Sequence, residues 1–346
     1  MKPVCVITGG GSGMGRATAK LVCEAGYHVI LVGRTAAKLE SAVAELTEAG
    51  HEAEAFACDL SDRASCEKLA RHAVERGQVK ALLHIAGMSP HMGSPEAILR
   101  ANALGTVNIN DAFYPVMAPG GCVIDTSSMS AYLAPSFIMP KRVYPLARTD
   151  REKFLKKMMA RINLMPKSAR TGVAYSISKH FVIWFAKTDA ARFGAKGVRC
   201  LSVTPGNFDT PMGQLESAEA QTFTAHSALK RNGRPEEIAA LYALLLDERL
   251  GHRHGRRCHC QWDQRPFPLT DISPFSPFST KPAFLLPRES RFCHFQLLLR
   301  LICLNADAVD GDRFRGLLVL IHGGLSDGVH HVHPLVHLAQ HGIGVV

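Results

Sequence analysis

The sequence has no apolar run long enough to cross a membrane. The longest candidate, Phe295 to Leu304, falls short of the ~18 residues that a spanning helix needs, and Arg300 interrupts it. Cys-x-x-Cys pairs are also absent, although the chain contains 10 cysteines. Because a first apolar strand begins at Val4, we expect no signal peptide. The sequence therefore favours a cytoplasmic protein without a membrane span.

The sequence also lacks a dense basic run interleaved with aromatic residues. Lysine and arginine number 40 against 30 acidic residues, which gives a formal net charge of +10, but the basic residues are spread along the chain. Proteins that bind nucleic acid typically gather this charge in one patch, so we expect no nucleic-acid partner. The length of 346 residues allows one large α/β domain of about 250 residues or two smaller domains.

A glycine-rich turn follows the first apolar run. Val4 to Ile7 predicts a buried strand, and the residues after Gly15 predict an amphipathic helix. Glycine permits positive φ angles and close backbone approach, and the N-terminus of a helix attracts phosphate. This placement predicts a dinucleotide site, with an ordinary strand-to-helix turn as the alternative. The predicted contacts are Gly9, Ser12, Gly13, Met14 and Gly15.

The second predicted strand, Tyr27 to Val32, ends at Gly33-Arg34. In dinucleotide folds the residue at this place meets the adenosine ribose. An acid there accepts a hydrogen bond from the 2′-hydroxyl, whereas a base accommodates a 2′-phosphate. Arg34 therefore favours NADP(H) over NAD(H), because a guanidinium binds phosphate bidentately. The alternative is a solvated charge at the start of a helix.

Two further predicted strands end at residues that we expect in the cofactor crevice. Glu54 to Cys58 is followed by Asp59-Leu60, and Ala81 to Ile85 is followed by Ala86-Gly87. The carboxyl ends of parallel strands form the ligand crevice of such a sheet. Asp59 would therefore meet the adenine, and Ala86-Gly87 would let the ribose approach.

A tyrosine and a lysine, Tyr175 and Lys179, lie one turn apart in a predicted long apolar helix. A nearby ammonium stabilises a phenolate and lowers the pKa of the phenol. The hydroxyl can then exchange a proton with an alcohol or ketone oxygen. An ordinary surface pair is the alternative. After a sixth predicted strand, Val198 to Val203, the loop with Pro205-Gly206 and Thr210 is predicted to close over a nicotinamide.

In order and spacing these motifs resemble the short-chain dehydrogenase/reductase family over about residues 1–248. The motifs are Thr8-Gly9-x-x-x-Gly13-x-Gly15, Asp59, Ala86-Gly87, Asn102, Ser128, Tyr175-x-x-x-Lys179 and Pro205-Gly206. The resemblance implies an α/β fold with a single doubly wound parallel sheet of the Rossmann type. It also implies hydride transfer between NADP(H), with NAD(H) as the alternative, and a small-molecule secondary alcohol or ketone.

The resemblance also implies roles for four residues. Tyr175 would be the general acid/base, and Ser128 would hold the substrate oxygen. Lys179 would bind the nicotinamide ribose and lower the pKa of Tyr175, while Asn102 would support a water-linked proton relay. Family members often form homo-oligomers through the helices that carry Asn102 and Tyr175. Two other functions stay open, namely a non-catalytic NAD(P)-binding regulatory or scaffold protein and the reduction of ketoacyl groups on an acyl carrier.

Two segments depart from the family pattern. The usual Asn-Asn-Ala-Gly is His84-Ile85-Ala86-Gly87 here, so we expect the loss of a polar contact between neighbouring strands, with more effect on rigidity than on chemistry. Residues 139–166 also lengthen the interval between Ser128 and Tyr175. Within them, Arg151 to Leu164 predicts an amphipathic helix. This insert is either an apolar lid, which would suit a bulky steroid-like substrate, or a surface helix docked on the domain.

The chain after Glu248 does not continue as the family does. The final apolar strand and its Asn/Asp-Gly-Gly ending are missing, and proline-rich and histidine-rich sequence runs to Val346. A zinc interpretation requires ligands from His252, His254, Cys258, His259 and Cys260. Their spacing is not that of structural zinc sites, so we expect no metal.

A shift of reading frame explains this tail. The codons for Gly251 to Trp262, when they are read one base later, permit Gly-Ile-Val-Thr-Gly-Ala-Val-Val-Thr-Val-Asn-Gly, which is a strand and ending of the family type. We therefore predict that residues 249–346 are a frameshifted, poorly ordered tail and that the final strand is lost. The sheet edge beside Val198 to Val203 would then stay uncovered or poorly covered.

Overall fold

A computed structural model shows that the predicted strands form one parallel sheet. The structure describes residues 2–133, 139–215, 223–225, 227, 229–250 and 257–260. All of these lie in the first of two units, Met1–Pro277, whereas the second unit, Phe278–Val346, lies outside the described residues. The strands are β1 (Val4–Thr8), β2 (His28–Gly33), β3 (Ala53–Ala57), β4 (Val79–His84), β5 (Met117–Thr126), β6 (Arg199–Pro205) and β7 (Arg257–Cys260).

The strand order is β3-β2-β1-β4-β5-β6-β7, and every neighbouring pair is parallel. The chain therefore starts in the middle of the sheet, winds outward to β3, returns to β4 beside β1 and winds outward again. In sheets of this kind the ligand crevice lies outside the carboxyl ends of the strands where the winding direction changes. The prediction of a doubly wound sheet is confirmed.

Helices cover both faces of the sheet. They are α1 (Gly13–Glu24), α2 (Ala36–Glu48), α3 (Arg63–Arg76), α4 (Pro95–Leu99), α5 (Gly105–Phe113), α6 (Leu146–Thr149), α7 (Arg151–Asn163), α8 (Arg170–Gly194), α9 (Pro211–Leu215) and α10 (Pro235–Leu245). Helices α1, α2 and α10 pack on one face, and α3, α5 and α8 pack on the other. On β1, Cys5 and Ile7 enter the first core while Val4 and Val6 enter the second. Burial on both faces explains why the central strands β1, β2 and β4 read as largely continuous apolar runs.

Asn102 lies in an irregular turn between α4 and α5. Residues Arg100–Leu104 are π-helical, and Asn102 is 1% exposed. The sequence predicted a helix here but not the widened turn, which is a local feature that tertiary packing stabilises.

The predicted helix of the insert is confirmed as α7 and is docked on the domain. Its first residue follows Asp150, whose Oδ1 accepts a hydrogen bond from the backbone nitrogen of Lys153 at 3.0 Å. Phe154, Met158 and Ile162 are buried in a third apolar cluster with residues of α4 and α8. This packing is compatible with both alternatives for the insert, the lid and the docked surface helix.

An ion-pair cluster ties the insert to two helices of the domain. Arg148 of α6 contacts Asp189 of α8 at 2.7 Å and Asp111 of α5 at 2.9 Å. The side chain of Asp189 is 1% exposed and also contacts Arg192 at 2.9 Å. A buried carboxylate requires such partners, since removal of one leaves an uncompensated charge. The insert therefore covers part of the surface of α5 and α8.

A short strand, β7, lies beside β6, which corrects the expectation that the final strand is lost, although it pairs with only part of β6. Four residues of β7 pair with β6, from Ser202 opposite Arg257 to Pro205 opposite Cys260. Pairing uses backbone N–H and C=O groups, which every extended residue except proline provides, so an apolar run is not required for it. The predicted poor order of the tail and its zinc alternative at His252 and His254 concern residues outside those described.

Candidate active site

The glycine-rich turn between β1 and α1 is packed too closely for side chains. A Cβ atom on Gly15 would collide with the carbonyl oxygen of Gly9, and one on Gly9 would lie 3.1 Å from the backbone nitrogen of Ala86. Gly9 and Gly13 also adopt positive φ angles of 73° and 51°. The turn therefore presents bare backbone beside the end of β4, as a pyrophosphate site requires.

The loop after β6 reaches the same turn. A Cβ atom on Gly13 would lie 3.2 Å from the Cβ atom of Thr210. Ser12 precedes α1, and Met14 lies in its first turn. The predicted cofactor residues of the turn and of the loop that begins at Pro205-Gly206 thus come together, although they are far apart in the sequence.

Asn102 and Lys179 meet at Gly87. A Cβ atom on Gly87 would lie 3.0 Å from Lys179 Nζ and 3.3 Å from Asn102 Oδ1. Asn102 Oδ1 accepts a hydrogen bond from the backbone nitrogen of Met88 at 2.7 Å, and Nδ2 donates to Ser178 Oγ at 3.1 Å. Sequence reasoning missed Ser178, which the motif Tyr-x-x-x-Lys leaves unspecified.

Tyr175 shares its helix face with Lys179. Lys179 Nζ lies 6.0 Å from the centroid of the Tyr175 ring, and the lysine is only 5% exposed. The predicted one-turn spacing therefore places a buried ammonium beside the phenol. Helix α8 begins at Arg170, so both residues lie inside the helix rather than at its start.

The segment that ends β5 is fastened to Lys179 at two points. Lys179 Nζ donates to the carbonyl oxygen of Thr126 at 2.9 Å, and Ser127 Oγ donates to the carbonyl oxygen of Lys179 at 2.7 Å. The next residue, Ser128, accepts a hydrogen bond on Oγ from the backbone nitrogen of Ser130 at 3.2 Å. These bonds hold the strand end that carries Ser128 against the helix that carries Tyr175.

Two basic residues follow β2, Arg34 directly after the strand and Lys38 in the first turn of α2. Arg34 is exposed, and Lys38 is near the glycine turn, since a Cβ atom on Gly11 would lie 3.1 Å from Lys38 Cβ. The first turn of α2 contains no acidic residue. Sequence reasoning missed Lys38, although its place three residues into the helix after Arg34 is a signal that was present.

The segment after β3 is fixed by short polar bonds. Asp59 Oδ1 accepts from the backbone nitrogen of Ser61 at 2.9 Å, and the carbonyl oxygen of Leu60 accepts from Asn108 Nδ2 at 2.8 Å. Asp59-Leu60 thus lies at the carboxyl end of β3, in the row of strand ends where the sequence placed it.

His84 corrects the expectation of a lost polar contact. Its ring Nδ1 lies 2.9 Å from Thr8 Oγ1 at the end of β1, and its Nε2 lies 3.0 Å from Thr106 Oγ1 on α5. The imidazole therefore joins the two strands and a helix, because its two nitrogens point in opposite directions. Sequence reasoning missed this role, since the partners are remote in the chain.

The described part of the chain offers neither a membrane-spanning helix nor a cluster of metal ligands. None of its helices is long and apolar enough to cross a membrane. The described residues also contain no group of three or more His, Cys, Asp or Glu side chains placed to hold a metal ion.

Comparisons with known proteins match this arrangement. A short chain dehydrogenase family model matches residues 3–140, and an Enoyl-(Acyl carrier protein) reductase model of the same kind matches residues 158–260, so the match extends past residue 248. A 3beta-hydroxysteroid dehydrogenase 2 of Eggerthella lenta is 26% identical over 268 residues, which cover 72% of this chain and 90% of the relative. A 3-oxoacyl-[acyl-carrier-protein] reductase of Thermotoga maritima is 23% identical over 264 residues, which cover 73% and 94% of the two chains.

Solved structures show the same fold. A short chain dehydrogenase from Burkholderia cenocepacia in complex with NADP superposes with a TM-score of 0.61 at 22% identity, covering 75% of this chain and 96% of that one. This likeness shows the fold. The two matched models, over residues 3–140 and 158–260, and the dehydrogenase relatives show that the chain belongs to the short-chain dehydrogenase/reductase family and is an NAD(P)-dependent oxidoreductase.

Proposed function

We propose that the chain transfers a hydride between NADP(H) and the carbon of a secondary alcohol or ketone on a bulky apolar molecule. The observation that carries this proposal is the convergence of Asn102 and Lys179 beside Gly87, with the Tyr175 ring 6.0 Å from Lys179 Nζ. A protein that only binds a nucleotide has no need of a buried ammonium next to a phenol. The arrangement therefore supports catalysis rather than a scaffold role.

The turn fits a dinucleotide because its backbone is bare where the phosphates would lie. Gly9, Gly13 and Gly15 would hold the pyrophosphate at the N-terminus of α1, where backbone N–H groups and the helix dipole favour an anion. Ala86-Gly87 and Lys179 would hold the nicotinamide ribose. When it is bound, the nicotinamide supplies or accepts the hydride.

Arg34 and Lys38 support a preference for NADP(H). Both side chains are exposed, Lys38 lies near the glycine turn, and the first turn of α2 has no carboxylate to accept a ribose hydroxyl or repel a phosphate. A 2′-phosphate would be bound by a guanidinium and an ammonium together, with the N-terminus of α2 adding favourable charge.

Tyr175 would exchange the proton with the substrate oxygen. The Lys179 ammonium stabilises the phenolate form, so the Tyr175 hydroxyl can give its proton to a ketone oxygen or, as phenolate, take one from an alcohol. Ser128 would donate a hydrogen bond to the same substrate oxygen. The links of Thr126 and Ser127 to Lys179 keep Ser128 on the strand end that faces α8.

The substrate class rests on two observations. Tyr132 and Leu133, shortly after Ser128, are 41% and 45% exposed, which offers apolar surface next to the predicted oxygen-binding serine. The matched relatives include a 3beta-hydroxysteroid dehydrogenase. A fused-ring alcohol or ketone fits both.

Reduction of an acyl-carrier-linked ketone is the second candidate, because a basic face exists to dock an acidic carrier. On α7, Lys153, Lys156, Lys157 and Arg161 are exposed, and α7 packs against α8, which carries Tyr175. A 3-oxoacyl-[acyl-carrier-protein] reductase is among the relatives.

One screen separates these candidates. Turnover is followed at the absorbance band of the reduced nicotinamide, with NADPH and NADH against ketosteroids, aliphatic ketones, quinones and 3-oxoacyl thioesters with and without carrier protein. Turnover of ketosteroids with NADPH is the expected result. Turnover only of carrier-linked thioesters would replace the first candidate with the second, and cofactor binding without any turnover would favour the non-catalytic alternative.

A further inference from the structure

His84 ends β4 with both ring nitrogens hydrogen-bonded to hydroxyl groups. The partners are Thr8 Oγ1 at 2.9 Å from Nδ1 and Thr106 Oγ1 at 3.0 Å from Nε2, and the residue is 2% exposed. Neutral imidazole has one donor and one acceptor nitrogen, whereas imidazolium has two donors. The two hydroxyl partners therefore determine which form the ring adopts.

The neighbours of the hydroxyls assign the ring proton to Nε2. Thr106 has a single hydroxyl proton, which it donates to the carbonyl oxygen of Asn102 at 2.7 Å. Thr106 Oγ1 is therefore an acceptor toward His84, and Nε2 must be the donor. Burial, and secondly the Lys179 ammonium, lowers the pKa of His84 to about 3, so the ring is neutral. Nδ1 then accepts the proton of Thr8.

The resulting hydrogen bonds form one chain with a single direction. The backbone N–H of Ala86 donates to Thr8 Oγ1 at 3.1 Å, Thr8 donates to His84, His84 donates to Thr106, and Thr106 donates to the carbonyl of Asn102. Each member that accepts also donates, which strengthens its neighbours' bonds. The two ends of the chain are backbone groups of the candidate active site.

A second hydrogen bond joins the segment after β4 to the π-helical turn that carries Asn102. Asn102 Oδ1 accepts from the backbone nitrogen of Met88, two residues beyond Ala86. The strand end at residues 84–88 and the π-helical turn are thus joined at two places. Between them lies Gly87, against which Lys179 and Asn102 pack.

We propose that His84, as the neutral Nε2–H tautomer, is a positioning residue that sets the spacing between the cofactor crevice at Ala86-Gly87 and Asn102. The inference rests on the proposed function of this site. His84 touches neither cofactor nor substrate and acts through Thr8 on the crevice and through Thr106 on Asn102. Its two nitrogens therefore serve two separable ends of the site.

Side chains of different length separate the two ends. Asn at position 84 reaches no further than the place of Nδ1 and keeps the partner Thr8, whereas Gln can donate from the place of Nε2 to Thr106. We expect His84→Asn to keep the NADPH Kd within about twofold and to lower kcat about tenfold, because a displaced catalytic group loses rate without losing cofactor affinity. His84→Gln should raise the NADPH Kd and keep kcat within about twofold. His84→Leu should both raise the Kd and lower kcat.

Controls distinguish the chain from general helix stability. Thr106→Val should behave like His84→Asn. Thr188→Val removes a similar hydroxyl bond to the carbonyl four residues earlier, Thr188 to Trp184 at 2.9 Å on the exposed side of α8, and should leave kcat and Kd unchanged. If His84→Asn and His84→Gln change kcat and Kd equally, His84 does not act separately on the crevice through Thr8 and on Asn102 through Thr106, and the proposal is overturned.

A measurement without turnover tests the tautomer. Nitrogen-15 NMR of the full-length protein, labelled on histidine, should show His84 with a protonated Nε2 and a bare Nδ1 that do not change between about pH 8 and pH 5. An Nδ1–H tautomer, or titration near the ordinary histidine pKa of about 6.5, would overturn the proposal. If no substrate is turned over, the NMR and Kd measurements still decide it, so failure of the proposed function is distinguishable.

Discussion

Lys179 Nζ donates a hydrogen bond to the carbonyl oxygen of Thr126 at 2.9 Å, two residues before Ser128. The same lysine lies 6.0 Å from the centre of the Tyr175 ring. One buried ammonium therefore holds the strand end that carries Ser128, the proposed substrate-binding serine, and lies beside Tyr175, the proposed proton donor. The proposed chemistry depends on this double placement.

Tyr175→Phe should abolish turnover while the Kd for NADPH stays nearly constant. The substitution removes only the hydroxyl that exchanges the proton, a contribution of ~10² to 10⁴ in rate. Stopped-flow turnover and fluorescence titration of NADPH measure the two quantities. Activity within about tenfold of wild type would reject Tyr175 as the acid/base.

Arg34→Asp should shift the cofactor preference from NADPH toward NADH. The change removes a phosphate ligand and supplies an acceptor for a ribose hydroxyl. Lys38→Ala should lower NADPH affinity with little effect on NADH. Lys68→Asp, a charge reversal at an exposed position of α3, is the matched control. An unchanged ratio of kcat/KM for the two cofactors in Arg34→Asp would show that Arg34 is a solvated charge.

Phe154→Ala should destabilise the protein by about 3–5 kcal/mol, because it empties a fully buried position between α7 and α8. Lys156→Ala on the exposed face of α7 is the control and should change the free energy of unfolding little. Chemical denaturation measures the free energy of unfolding of both variants.

If α7 is only a docked surface helix, Phe154→Ala should alter KM for small and bulky ketones alike. A selective rise of KM for bulky substrates would favour the lid interpretation.

Asp125 should make stability depend on pH. Asn110 Nδ2 donates to Asp125 Oδ2 at 2.8 Å, while the other oxygens of both side chains are buried without a hydrogen-bond partner among the described residues. A proton on Asp125 can satisfy both oxygens. Burial raises the pKa of Asp125 to about 8 from the ordinary 3.8, with Asn110 opposing this and Asp189 adding to it.

The sign of the effect follows from this raised pKa. Between about pH 4 and pH 8 the folded protein holds a proton that the unfolded chain has lost, so stability falls as pH rises, by at most about 1.4 kcal/mol per unit for one proton. Asp125→Asn should flatten this slope. Denaturation at several pH values measures it, and an identical slope in wild type and variant would show that Asp125 is ionised in the fold.

Restoring the reading frame after Glu248, so that the chain continues Ala-Ser-Gly-Ile-Val-Thr-Gly-Ala-Val-Val-Thr-Val-Asn-Gly, should raise the melting temperature. The structure provides a four-residue β7, and an apolar strand there would add buried area at the edge of the sheet. Differential scanning fluorimetry of both chains tests this. An unchanged melting temperature, or a gene resequenced with the present frame, would contradict the frameshift.

The sequence by itself determined the fold and indicated most residues of the candidate site, because those signals are local. A strand, a glycine turn and a helix are encoded by neighbours, so Gly9, Gly13 and Gly15 were predicted together, and the one-turn spacing of Tyr175 and Lys179 follows from helix geometry alone. The apolar face of α7 was likewise predicted from the helical spacing of its apolar residues.

The tertiary structure alone decided how remote parts meet. The ring of His84 bonds Thr8 and Thr106, which are 76 and 22 residues away, so replacement of the usual asparagine looked like a loss in the sequence and is a link in the fold. The docking of α7 depends on the apolar surfaces of α4 and α8, and the pairing of β7 depends on the free edge of β6. Composition and period describe one segment at a time, whereas hydrogen bonds and packing depend on two segments brought together by the order of the strands.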